Sequence, residues 1–114
     1  MASYPTIREL KKALGEAYSI YDIDNERCLY RDFGNGFNVE ISGVSRANQK
    51  GPATIYLWFG DCQPECIIVK TVHDIGRNAP AIKAAVEELF DLSQSLVRHG
   101  YCDWPSLFKL KHNL

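Results

Sequence analysis

With 114 residues, 46% hydrophobic and 24% charged, the chain is long enough to bury one core and too apolar to stay disordered. Thirteen basic residues face fourteen acidic ones, a net charge of −1 with no basic arm or acidic tail, which argues against non-specific phosphate binding. No apolar run approaches a membrane span and MASYPTIRELKK holds no apolar signal core, so the expectation is a cytoplasmic protein with no membrane partner and reduced thiols.

Thr6-Ile7-Arg8-Glu9 fits a capping box, with Thr6 as N-cap and Glu9 three residues on. Ile7, Leu10, Leu14, Ala17 and Tyr18 follow at helical spacing and predict an amphipathic helix of about three turns. Asp22-Ile23-Asp24-Asn25-Glu26 looks like the opening of a calcium loop. It places Arg27 where such a loop needs glycine and Phe33 where it needs glutamate, so it reads as a solvated connection.

Four strands are predicted next. The first is Cys28–Phe33, closed by the turn signal Gly34-Asn35-Gly36. In Phe37–Ser42, Phe37, Val39 and Ile41 point to the core, while Asn38, Glu40 and Ser42 face out. Residues 45–52 read as a polar loop. Thr54–Phe59 sets Ile55, Leu57 and Phe59 on one face and Thr54, Tyr56 and Trp58 on the other. Ile67–Val72 is rich in β-branched residues and makes the fourth strand.

Asn78 can cap a long helix that tolerates Pro80 in its first turn and stops at Gly100. Its apolar stripe runs through Ile82, Ala85, Val86, Leu89, Leu92, Leu96 and Val97. Asp103-Trp104-Pro105 starts a short last helix. The expected fold is α+β, one domain over residues 1–114: a helix, a four-stranded antiparallel meander, a long helix and a short C-terminal helix. The two main helices pack on one sheet face.

The cysteines offer the one candidate metal chemistry. Cys62 and Cys66 flank Gln63-Pro64-Glu65, and the simplest reading is a hairpin connection. The sharper reading joins Cys62 and Cys66 to His99 and Cys102 as three thiolates and an imidazole, a valid zinc set. The two halves lie far apart in sequence and the Cys-x3-Cys spacing is one longer than the usual knuckle. No zinc or other cofactor is therefore expected. A redox dithiol would need Cys-x-x-Cys at a helix start, whereas this pair precedes a strand. Cys28 and Cys102 read as core or near-core residues.

No catalytic residue is nominated. His73-Asp74 lacks a nucleophile, and no nucleophile elbow, P-loop or zinc-protease helix is present. The helix–strands–helix order resembles the double-stranded-RNA-binding domain in topology. That domain has three strands and a basic cluster opening its last helix, where this chain offers only Lys83.

The sheet face turned away from the helices carries Tyr56 and Trp58, joined by Tyr30 if the register allows, and aromatic residues of this kind are enriched at binding surfaces. The competing expectation is that Trp104 and Phe108 fold over this face and bury it. The reading is a non-catalytic interaction protein that binds a protein partner or its own copy through Tyr30, Tyr56 and Trp58. Small α+β proteins of this sort recur among phage and mobile-element accessories, inhibitors and immunity proteins. A structured-RNA module and a Cys/His zinc or thiol protein are the alternatives.

Overall fold

The computed structural model describes residues 4–23, 25–45, 51–60 and 66–112. In chain order the elements are α1 (Ile7–Leu14), β1 (Ser19–Ile23), β2 (Glu26–Asp32), β3 (Phe37–Ser42), β4 (Ala53–Phe59), β5 (Ile67–Ile75), α2 (Ala79–Arg98) and α3 (Trp104–His112). The strands form one sheet in the order β1-β2-β3-β4-β5, each antiparallel to its neighbours. The α+β class and the meander are as expected, with five strands in place of four.

The added strand is β1, which lies where the sequence suggests the end of a helix and then a loop. α1 stops at Leu14 because Gly15 turns the backbone to φ 110° while its N–H still reaches the Lys11 carbonyl. Tyr18 and Ile20 are then spaced by strand periodicity rather than helical periodicity, and Tyr18 is buried. Ile23 pairs with Glu26 across a connection of residues 24 and 25, where Asn25 adopts φ 65°. Asparagine tolerates this left-handed conformation better than most residues, which is what a two-residue hairpin needs. The calcium-like stretch is therefore the tip of a β-hairpin.

Both predicted helix starts are formed as expected. Thr6 Oγ1 accepts from the Glu9 N–H, and Glu9 Oε1 accepts from the Thr6 N–H, completing the box. Asn78 Oδ1 accepts from the Ala81 N–H and starts α2, which ends before Gly100 at φ 84°.

Strand alternation sends two sets of side chains to opposite faces. Leu29, Val39, Ile41, Ile55 and Leu57 share one face, and Ile7 and Leu10 of α1 with Ile82, Val86 and Leu89 of α2 pack on them as a single core. Leu107, Trp104 and Leu110 of α3 join this same core. Arg31 stands on the helix side, opposite Val39, with its guanidinium 5.3 to 5.7 Å from the rings of Tyr18, Phe33 and Phe90. It donates to Glu87 Oε1 of α2 at 3.1 Å, tying that helix to the sheet.

Candidate functional site: the helix-free sheet face

The register places Tyr30 opposite Glu40, Glu40 opposite Tyr56, and Asn38 opposite Trp58. These five side chains therefore occupy one face of three adjacent strands, away from the helices. Tyr30, Tyr56 and Trp58 are all half-buried. The α3 helix does not take the covering role: Trp104 packs into the opposite core, stacked on Phe108 at 4.8 Å, and Phe108 is itself exposed.

Alternation predicts that Asn38 and Glu40 face out, and the exposure corrects this. They do point away from the helices, yet only 5% of Asn38 and 9% of Glu40 is exposed. Glu40 sits between Tyr30 and Tyr56 on its neighbouring strands, and Asn38 between Asp32 and Trp58. Trp58 Nε1–H donates to Glu40 Oε1 at 3.1 Å, and the Cys28 thiol lies 3.9 Å from Glu40 Oε2. Asn38 Nδ2 donates to the Gly60 carbonyl at 3.1 Å and pins the end of β4. A buried polar group is stable only with such partners.

Cys28 is buried, as expected, but beneath this face rather than in the helix-side core. Cys102 is exposed, contrary to the near-core expectation, because it lies in the connection between α2 and α3. Tyr21 was not singled out from the sequence. It extends the aromatic face toward the edge, meeting Tyr30 edge-on at 5.1 Å while remaining 53% exposed. The missed signal was the alternation of Tyr21 and Ile23 on one face with Tyr18 and Ile20 on the other.

Two hollows open on this face. The smaller, of about 220 Å³, is lined by Ile23, Tyr30, Asn38, Glu40, Trp58, Gly60 and Cys66. The larger, of about 560 Å³, shares Ile23, Tyr30 and Asn38 with it and adds Ala17, Ser19, Tyr21, Asp22 and Asp32. Among the described residues no lysine, arginine or histidine lines either one.

Glu26 works at the other end of the same face. Its carboxylate accepts from Ser42 Oγ at 2.9 and 3.0 Å and from the Gly43 N–H at 2.7 Å. This clasp holds the end of β3 against the start of β2.

Cys62 lies outside the described residues. Among the described residues no three histidine, cysteine or acidic side chains converge as a metal site, and Cys66, His99 and Cys102 do not come together as one. His99 caps α2, with Nδ1 2.7 Å from the Ser95 carbonyl. No helix among the described residues is long and apolar enough to cross a membrane.

No family model, curated protein or solved structure matches the chain. The reading of this face therefore rests on its own chemistry. It offers a fixed carboxylate, aromatic rings and two adjoining hollows. The Cys28 thiol beside that carboxylate is buried, where a cysteine is inert.

Proposed function

We propose that this is a cytoplasmic, non-catalytic interaction protein that binds another macromolecule through the helix-free sheet face. The observation that carries the reading is the gathering of half-buried Tyr30, Tyr56 and Trp58 around two hollows, on a face from which all three helices are absent. Tyrosine and tryptophan combine a large apolar body with a polar tip and are enriched at interfaces for that reason. Such a protein acts by occupying a partner, as an accessory, inhibitor or immunity-type protein does. Structured RNA is the poorer fit, since Asp32 and Glu40 line the hollows and would oppose a phosphate backbone.

The test is photo-crosslinking in the native cell. A photoreactive residue at Tyr56 should trap one discrete partner, whereas the same residue at exposed Ala84 on α2 should not. Tyr56→Ala with Trp58→Ala, in a chain carrying the photoreactive residue at Tyr21, should abolish the adduct while circular dichroism stays that of the parent. Equal trapping from both faces, or an adduct indifferent to the double substitution, would end the reading.

A further inference from the structure

We infer that the partner presents a cationic side chain, a lysine or arginine, to the hollow between Tyr30, Trp58 and Glu40. The inference rests on the binding role proposed above for this face and names the chemistry of what it binds.

Charge segregation supplies the first argument. The chain is almost neutral, yet β2 and β3 sort their charges by face. By alternation from core-facing Leu29, Arg27 and Arg31 stand on the helix side, whereas Glu26, Asp32 and Glu40 stand on the other. Asp32 is exposed on the rim and Glu40 lies on the floor. Among the described residues no basic side chain lines either hollow.

Local geometry supplies the second. The Trp58 indole fixes Oε1 of Glu40 at the bottom of the smaller hollow, and Tyr30 and Trp58 line its walls. An ammonium or guanidinium group entering there meets aromatic rings and a carboxylate together. Rings attract a cation through their quadrupole, and a charge-assisted hydrogen bond is the strongest kind available. At about 220 Å³ the hollow accepts the end of one long side chain. The larger hollow continues from it past Asp32 and leaves room for the flanking residues.

The same charges select against the other occupants. A second copy packed face to face would bring together two faces that both carry Asp32 and Glu40, and like charges across an interface cost affinity. RNA phosphates would meet the same repulsion.

The experiment follows the Trp58 indole N–H signal by NMR in the full ¹⁵N-labelled chain. It titrates peptides identical except for a central arginine, lysine, norleucine or glutamate. The arginine and lysine peptides should shift the signal saturably, with the norleucine and glutamate peptides weaker by about ten-fold or more. Glu40→Gln keeps the acceptor for Trp58 and should weaken the arginine peptide by about ten-fold. Asp32→Asn, on the exposed rim, tests the charge with little risk to folding and should reduce both affinity and its salt dependence.

Equal binding of all four peptides would leave the face a binding surface and overturn the cationic inference alone. A shift with an RNA hairpin, or a concentration-dependent shift abolished by Tyr56→Ala, would overturn it in favour of nucleic acid or a second copy. No shift with any peptide at millimolar concentration would overturn it as well. The crosslinking result reads the binding role separately.

Discussion

Trp58 and Glu40 are diagonal neighbours on adjacent strands, and the indole N–H of one meets the carboxylate of the other at 3.1 Å. The bond puts a carboxylate below a ring on the one face the helices leave uncovered. Replacing Glu40 with leucine leaves that indole N–H without its acceptor, which should cost about 1–3 kcal/mol of stability. Glu40→Gln should cost less. Urea midpoints of the two variants against the parent measure the difference, and equal midpoints would show that the bond contributes nothing.

The Glu26 clasp should be worth more than its position near a sheet end suggests. One carboxylate serves both the Ser42 hydroxyl and the Gly43 N–H, so Glu26→Ala removes every one of these bonds at once. A loss of about 2–3 kcal/mol is expected from charge-assisted bonds in a half-buried setting. Glu26→Gln, whose amide oxygen in the Oε2 position keeps both donors but carries no charge, should fall between. Hydrogen exchange at Gly43 should accelerate in the alanine variant before exchange in β4 does.

Gly36 is required by two independent constraints. Its φ is 92°, and a Cβ at that position would lie 2.8 Å from the Phe59 ring. Gly36→Ala should therefore destabilise by more than the roughly 1–2 kcal/mol of left-handed strain alone, because the ring must also move. Gly34, at φ 77° with open space around it, should show only the strain. Thermal melts of the two alanine variants compare them directly.

Tyr18 gives the chain an alkaline limit. Burial pushes its phenol above the ordinary value, and Arg31 beside it offsets part of that rise. The unfolded chain releases this proton near pH 10 while the folded chain keeps it. Its stability contribution is therefore fully present below about pH 10 and is lost as the pH rises through the folded value. Tyr18→Phe should lose less stability than the parent between about pH 9 and 11, read as the change in urea midpoint across that range.

Arg31 and Glu87 separate packing from charge. Glu87 is about half exposed, so Glu87→Gln should cost under about 1 kcal/mol. Arg31→Ala also strips the stem that lies among Tyr18, Phe33 and Phe90, and should cost more. If the two variants unfold at the same urea concentration, the ion pair rather than the aromatic packing governs this contact.

The helix caps, the Gly34–Gly36 turn and the two-faced pattern of β3 and β4 were legible because each is set by residues a few positions apart. Thr6 with Glu9, and Asn78 with Ala81, need nothing from the rest of the chain. β1 was obscured for the opposite reason. Tyr18 continues a helical spacing begun at Ile7, and only Gly15 breaks it. Asp22, Asp24 and Asn25 then mask an alternation that becomes visible once β2 is paired against it.

The face was legible in part. Tyr30, Tyr56 and Trp58 could be aligned by parity, but the depth of Asn38 and Glu40 could not. Parity says which way a side chain points, and burial depends on how large its cross-strand neighbours are. A glutamate between Tyr30 and Tyr56, diagonal to Trp58, is the pattern that could have indicated a sunken carboxylate.

The strand order has a kinetic consequence. Every ladder joins strands that follow one another in the chain, so no strand waits for a distant partner to be made. Closing short loops costs little entropy, and folding rates rise as contacts become more local. The distant contacts are those of the helices: α1 with α2, and α2 with β2 through Arg31 and Glu87. The meander should therefore assemble hairpin by hairpin, with the docking of α1 on α2 as the late step. Substitutions at Leu10 should then act mainly on the unfolding rate, and those at Val39 on the folding rate.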